Sequence, residues 1–187
     1  FARGSEPMRA MLWLMIPTSV VAAPFIAFVA QMATNVHGGS EGATSLLTTA
    51  QGVGAVVAAV SLGALTRRLG TARLLGLAVV AVGAALVLYG AAPSLWTASV
   101  ALMLVGLTYG LAFTSFSSVA QLAAPDAMRG RVLAVNSLVL GVGYPVGVLV
   151  SGPLADAVGL REVTVASGSI VGIVGLALYR RTVVTVM

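Results

Sequence analysis

The chain has 187 residues, of which 59% are hydrophobic and only 8% are charged, and its formal net charge is +5. Soluble domains carry roughly a quarter of their residues as charged side chains, so this composition excludes a water-soluble globular protein. The sequence contains no cysteine, which excludes disulfides, thiolate metal sites and thiol nucleophiles. All 10 basic residues are arginines scattered between apolar runs rather than gathered with aromatics, so nucleic acid is not an expected partner.

The charged residues fall in short clusters, and charge-free stretches lie between them at 10–40, 42–66, 74–125, 132–155 and 163–179. A helix needs about 20 residues, at ~1.5 Å rise each, to cross ~30 Å of hydrocarbon, so all five stretches qualify, the last one barely. The third is twice too long for one crossing, and Ala92-Pro93-Ser94 near its middle breaks a helix. The sequence therefore predicts an all-α membrane protein with six transmembrane helices, at about 11–33, 43–65, 74–92, 95–123, 132–155 and 163–179.

The arginines are unevenly distributed between the two sets of alternating loops. The termini and the loops after the second and fourth spans hold all of them except Arg161. Short basic loops remain in the cytoplasm, so both termini are predicted to be cytoplasmic, and the outer loops would hold Glu41, Asp156 and Glu162. The exclusive use of arginine for positive charge is typical of a GC-rich bacterial genome. The predicted location is therefore the plasma (inner) membrane of a bacterium, as a multi-pass protein.

An internal repeat relates the first part of the chain to the second. Gly52-Val53-Gly54, Gly63-Ala64-Leu65 and Gly70 are followed 89 residues later by Gly141-Val142-Gly143, Gly152-Pro153-Leu154 and Gly159. An offset that spans three helices places the second copy upside down in the membrane, as in many secondary transporters. The predicted organisation is a cytoplasmic lead-in at 1–10, three-helix repeats at 11–92 and 93–181, and a tail at 182–187. Because the lead-in begins with Phe1 and not with Met, we expect a fragment or half of a longer protein.

Two segments of the chain resemble the major facilitator superfamily. The first, Gly63-Ala64-Leu65-Thr66-Arg67-Arg68-Leu69-Gly70, is similar to the motif joining the second and third helices of each half, although Arg67 occupies the acidic position of that motif. The second, Pro125-Asp126-Ala127-Met128-Arg129-Gly130-Arg131-Val132 followed by Gly143-Tyr144-Pro145-Val146-Gly147, resembles the junction of helices ten and eleven in the exporter branch that includes the enterobactin exporter. The resemblance covers essentially the whole chain and implies helices seven to twelve, the C-terminal half, of a drug or siderophore efflux permease.

What the resemblance implies is a secondary active transporter, not an enzyme, that exports a small apolar or amphipathic molecule by alternating access. Its partners would be the lipid bilayer, the substrate, the N-terminal six-helix half of the same transporter and, as one candidate coupling ion, protons. The alternatives are a six-span channel, an oligomeric pore or a non-transporting membrane sensor. No cofactor and no metal site are predicted, because His37 is the single imidazole and is expected to be solvated in the 35–40 loop.

Uncharged polar side chains are concentrated in four of the predicted spans. All Asn and Gln residues lie in or beside the first, second, fourth and fifth spans, and no ionisable residue lies within any span. Buried amides need partners, so these side chains are expected to face other helices or a water-filled cavity. In the resembled family the same four helices line the central cavity. The cavity candidates, which include mid-span tyrosines and a threonine, are Gln31, Asn35, Gln51, Tyr109, Thr114, Gln121, Asn136 and Tyr144.

Two further groups of residues have predicted roles at the turns and at helix contacts. The candidates for a cytoplasmic gate, which would hold helix ends together in one state or serve only as topology anchors, are Gly63, Arg67, Arg68, Gly70, Asp126, Arg129 and Arg131. The candidates for close helix packing, which form small-xxx-small pairs, are Gly106, Gly110, Gly143 and Gly147. Pro17, Pro24 and Pro145 lie inside spans and are expected to kink them.

Overall fold

The computed structural model describes residues 13–124 and 128–184, without the side chains of 123 and 181–184. It contains six long helices: α1, Trp13–Val36; α2, Glu41–Leu69; α3, Thr71–Gly90; α4, Leu95–Ala123; α5, Arg129–Val158; and α6, Leu160–Val184. Each contains a segment long and apolar enough to cross a membrane. The prediction of six membrane-spanning helices is therefore confirmed. The predicted lead-in at 1–10, the end of the tail at 185–187 and Asp126 lie outside the described residues.

The helices extend beyond the apolar spans, so the turns between them are shorter than the sequence suggested. Gly70 alone separates α2 from α3, with φ +78°, and Gly159 alone separates α5 from α6, with φ +109°. Only glycine adopts these dihedral angles without steric cost, so both turns require it. The longer link between α3 and α4 ends at Ser94, whose hydroxyl accepts a hydrogen bond from the Thr97 backbone N–H and caps α4.

Proline affects α1 and α5 differently. In α1 a π-helical turn, Thr18–Ala22, follows Pro17, a non-helical turn occupies Ala23 and Pro24, and a second π-helical turn covers Met32–Val36. A proline cannot donate to the preceding turn, and the wider π turn at Thr18–Ala22 lets the Ala23 N–H reach the Thr18 carbonyl at 3.0 Å instead. In α5 the helix is continuous through Pro145 and Pro153. The prolines of α1 thus coincide with irregular turns, whereas the kink expected at Pro145 of α5 stays a prediction.

Exchanging α1, α2 and α3 with α4, α5 and α6 turns each pair of packed helices described here into another packed pair or into itself. The closest packing joins α3 to α6, a pair that the exchange maps onto itself. The α2–α4 pair corresponds to α5–α1, and the α3–α4 pair corresponds to α6–α1. The least buried helices, α2 and α5, also correspond to each other and lie at the two flanks. This arrangement is that of two inverted three-helix repeats, as the sequence predicted.

Glycine contacts between α3 and α6 follow the same 89-residue offset as the sequence repeat. Gly83 and Gly172 are equivalent positions, and a Cβ on Gly83 would overlap the Gly172 backbone, so the pseudo-twofold axis passes through this contact. The contact of Gly76 with Tyr179 has its counterpart in the contact of Gly90 with Val165. In each case, adding or subtracting 89 residues converts one contact into the other. Such reciprocal contacts require an inverted repeat in the structure as well as in the sequence.

Candidate functional site

Aromatic side chains of α1 and α4 meet within electrostatic range of α5. Tyr109 of α4 lies edge-on to Phe25 of α1, with ring centroids 5.7 Å apart and an interplanar angle of 77°. Phe113 lies one turn further along α4, and its ring centroid is 6.4 Å from that of Tyr109. Tyr144 of α5 is close enough to interact electrostatically with Tyr109. Phe25 is buried and Phe113 is 44% exposed, so this aromatic cluster extends from the protein interior to an open surface.

A buried amide lies nearby between α4 and α5. The side chain of Asn136 is 4% exposed, and its Nδ2 donates a hydrogen bond of 3.4 Å to the Ser117 hydroxyl. Its Oδ1 is buried and accepts no hydrogen bond from the described residues. A buried carbonyl oxygen without a donor costs about 1–3 kcal/mol, so this atom is free to accept a hydrogen bond from a bound molecule.

The remaining cavity candidates lie at different depths and exposures. Gln51 of α2 is half-buried beside the α4 backbone, and Gln121 is exposed near the end of α4. Thr114 is exposed, and its hydroxyl donates to the Gly110 carbonyl at 2.8 Å. Gln31 and Asn35 are exposed near the opposite end of α1, where Asn35 accepts a hydrogen bond from Thr34. The structure therefore brings together Tyr109 and Tyr144, and it places Asn136 beside Ser117, but it does not gather all eight candidates into one site.

The four glycines predicted to pack helices lie at two equivalent crossings. In the α2–α4 crossing, a Cβ on Gly106 would overlap the Gln51 backbone, and one on Gly110 would lie 3.0 Å from the Ala58 Cβ. In the α5–α1 crossing, a Cβ on Gly143 would overlap Ser19, and one on Gly147 would overlap Val20. These close approaches hold α4 against α2 and α5 against α1 at near-backbone contact.

Comparison with known proteins assigns the family. A family model of the Major Facilitator Superfamily matches residues 8–186. The chain belongs to the major facilitator superfamily. Over 114 residues it is 30% identical to the multidrug efflux pump Tap of Mycolicibacterium fortuitum, and this segment covers 61% of the chain and 28% of that pump.

A second relative of the chain is also named multidrug efflux pump Tap. Over 89 residues the chain is 35% identical to Tap of Mycobacterium tuberculosis (strain ATCC 25618 / H37Rv), and the segment covers 48% of the chain and 21% of that pump. The matched segments thus span less than a third of each pump. No solved structure matches the chain significantly.

The residues that resemble the superfamily motif lie at the α2–α3 turn. Arg67 and Arg68 are exposed in the last turn of α2, and the site of a Gly63 Cβ is 3.6 Å from the Arg67 guanidinium. Gly70 forms the turn itself. Arg129 and Arg131 are exposed in the first turn of α5. All four arginines therefore belong to helix ends and not to the loops where the sequence placed them.

His37 lies in the loop between α1 and α2, as expected, and is partly exposed, but one nitrogen of its ring is buried. His37 directly follows the last turn of α1, its Nε2 is buried, and no group of the described residues makes a hydrogen bond to that atom. Burial lowers the pKa of His37, and the positive charge of Arg161 lowers the pKa further. The influence of Arg161 also places the α1–α2 loop and the α5–α6 turn at the same end of the molecule. Among the described residues, no cluster of three or more His, Asp or Glu is arranged to hold a metal ion.

Sequence reasoning missed two rings of the aromatic cluster. Phe25 and Phe113 lie in apolar spans, where a phenylalanine is equally consistent with contact to lipid. The spacing of Tyr109 and Phe113, four residues apart on one helix, was a signal that the two rings share a face. Phe25 belongs to another helix, and only the packing of α1 against its neighbours reveals its contact with Tyr109.

Proposed function

We propose that this chain is the C-terminal six-helix half of a secondary transporter that exports small apolar or amphipathic molecules from a bacterial cell. The observation that carries the proposal is the match to the superfamily over residues 8–186, in a structure built from two inverted repeats. The relatives named as multidrug efflux pumps support export over uptake. The assignment to the C-terminal half, and to the branch that includes the enterobactin exporter, rests on the motif resemblance at 63–70 and 125–132.

The proposed mechanism is alternating access between two six-helix halves. Our structure presents two flanking helices, α2 and α5, with most of their surfaces uncovered. An N-terminal half would pack against these flanks, and rocking of one half against the other would open the space between them to one side of the membrane at a time. The paired glycine crossings support this mechanism, because helices joined by backbone contact move as a unit.

The aromatic cluster and Asn136 are the proposed contacts for the substrate. The exposed ring of Phe113 and the partly buried ring of Tyr109 offer flat apolar surface to an amphipathic molecule. The Oδ1 of Asn136 is buried and has no donor among the described residues, and it would accept a hydrogen bond from a polar group of the substrate when α4 and α5 separate. Neither contact requires the substrate to carry a full charge. If protons drive export, the titrating carboxylate is expected in the other half, since the described spans hold none at mid-depth.

The test is the retention of a fluorescent amphipathic dye in cells that express the full-length protein. An exporter lowers dye retention, and an uncoupler restores it because the driving force is lost. Replacing Tyr109 with Ala should raise retention, whereas Leu88→Ala, at an exposed α3 position away from the cluster, should leave export unchanged. Equal retention with and without the uncoupler would contradict an energised exporter and favour the channel or sensor alternatives.

A further inference from the structure

A groove separate from the aromatic cluster opens between α1, α5 and α6. Its volume is about 440 Å³, and its walls are almost entirely apolar. Val150, Leu154 and Val158, at successive turns of α5, form one wall, and Ile170 of α6 contributes to the other. These four side chains are 49–58% exposed, so the described part of the chain leaves the groove uncovered.

The groove has a polar end and an apolar end. Glu162 lines it at the α5–α6 turn, where the carboxylate folds back over Gly159. Arg161 adjoins Glu162 in the first turn of α6, and Asp156 is exposed in the last turns of α5. The other end, at Val20 and Ile170, contains no charged residue. This gradient matches a molecule with a charged head and a single apolar tail.

The depth of the groove fits a lipid of one leaflet. Along α5 it extends from Gly147 to Val158, which is ~16 Å at ~1.5 Å per residue and about half of a ~30 Å hydrocarbon core. A groove of this length would match only part of a helix that crosses both leaflets. An acyl chain needs only one leaflet and enters from the side of the turn.

We propose that this groove binds one acyl chain of a phosphatidylethanolamine molecule, whose ammonium group pairs with Glu162 and whose phosphate lies beside Arg161. The ethanolamine ammonium donates hydrogen bonds to a carboxylate, whereas the trimethylated choline group has no N–H to donate. The three charged residues at the turn sum to one negative charge, which disfavours an anionic lipid such as phosphatidylglycerol. The site rests on the proposed function in one respect, because the N-terminal half must pack on the Leu149 face of α5 and leave the Leu154 face to the lipid.

Native mass spectrometry of the full-length protein, released from bilayers of equal phosphatidylethanolamine and phosphatidylcholine, tests the headgroup contact. The protein should retain the ethanolamine lipid over the choline lipid by about tenfold, the scale of one charge-assisted hydrogen bond. Glu162→Gln should abolish this preference. The matched control is Glu41→Gln, which changes an exposed carboxylate in the first turn of α2, outside the groove, and should preserve it. A preference that survives Glu162→Gln, or no preference in the unmodified protein, overturns the proposal.

Two leucines of α5 test the position of the acyl chain. Leu154 lines the groove, whereas Leu149 is 75% exposed and does not line it. Leu154→Trp should fill the groove and release the retained lipid, and Leu149→Trp should not. Equal lipid retention by both variants overturns the proposal.

A second measurement does not depend on the folding of the tryptophan variants. The chain has no cysteine, so once any cysteine outside it is replaced, single cysteines at the two leucines can carry a fluorophore, which phosphatidylethanolamine with brominated chains quenches. Quenching at Leu154→Cys should saturate at a lower fraction of brominated lipid than at Leu149→Cys. Absence of quenching at Leu154→Cys would show that protein covers the groove and would also overturn the proposal.

Discussion

The half-buried imidazole of His37 links the stability of the protein to pH. Burial first, and Arg161 second, lower the pKa of His37 below its ordinary value of 6.5, so the unfolded chain binds this proton more readily than the folded one. The stabilisation from this site is therefore present above pH 6.5 and is lost as the pH falls through that value toward the lowered pKa of the folded state. We expect the unfolding temperature of the detergent-solubilised protein to drop on acidification, and to drop less in His37→Gln. Parallel pH profiles for the two proteins would contradict this linkage.

Replacing Asn136 distinguishes a substrate-binding role of its side-chain carbonyl from a structural role. Asn136→Leu removes a hydrogen bond worth ~0.6 kcal/mol within a membrane protein, but it also removes a buried oxygen without a donor, so stability should change by less than about 1 kcal/mol. Dye export should fall about fivefold, because a substrate loses one neutral hydrogen bond.

Ser117→Ala provides the comparison for Asn136→Leu. It leaves both polar ends of the Asn136 amide without a partner and should destabilise the protein by ~0.5–1.5 kcal/mol. Its effect on export should be smaller than that of Asn136→Leu, since the Oδ1 atom remains. Thermal unfolding and dye retention, measured on both variants, distinguish the two roles. Full export by Asn136→Leu would remove this residue from the proposed site.

Individual residues were predictable where one span alone determined their environment. Tyr109, Tyr144 and Asn136 stood out because a polar group at mid-span needs a partner, wherever its helix lies. Position relative to other helices was not predictable, and this explains why the burial of His37 Nε2 could not be foreseen. The loop is polar in sequence, but in the structure Nε2 is buried and the imidazole lies within electrostatic range of Arg161.

At the scale of helices, the crossing of α3 and α6 depends on one glycine more than on the other. A Cβ on Gly83 would overlap backbone atoms of Gly172, whereas a Cβ on Gly172 would lie 3.7 Å from the Gly83 Cα, an ordinary contact. Gly83→Ala should therefore cost ~1–3 kcal/mol, because a backbone cannot yield as a flexible side chain does. Gly172→Ala should be neutral or stabilising by up to ~1 kcal/mol, since alanine favours the helix. Equal losses of unfolding free energy in the two variants would contradict this geometry.

Helix number was predictable because charge clusters and the break at Ala92-Pro93-Ser94 divide the apolar sequence without reference to packing. The irregular turns inside α1 were less predictable. Proline removes a hydrogen-bond donor in α1 and α5 alike, yet only α1 forms π turns and a non-helical turn at Pro24. The outcome depends on neighbouring helices, which can accommodate or resist a local distortion, and these contacts are not encoded in the spacing of prolines.

For the whole molecule, the same 89-residue offset appears in the sequence, in the packing of the helices and in their symmetry. It relates the turn glycines Gly70 and Gly159, the crossing of α2 with α4 to that of α5 with α1, and Gly83 to Gly172 across the axis. An inverted pair of repeats places equivalent turns on opposite sides of the membrane. Gly70 and Gly159 must therefore face different compartments, whichever way the protein is inserted.

The arginine distribution predicts which compartment each turn faces. Arg67, Arg68 and Arg73 flank the Gly70 turn, and placing one arginine at the centre of the bilayer costs ~3 kcal/mol, so this end should remain cytoplasmic. The chain has no cysteine, so once any cysteine outside it is replaced, a membrane-impermeant maleimide measures the orientation directly. The reagent should label Ser40→Cys, an exposed position in the α1–α2 loop, in intact cells, and it should label Ala72→Cys, exposed in the first turn of α3, only after the membrane is permeabilised. The opposite pattern would invert the proposed topology, and labelling of both positions in intact cells would mean that Gly70 does not lie at a cytoplasmic turn.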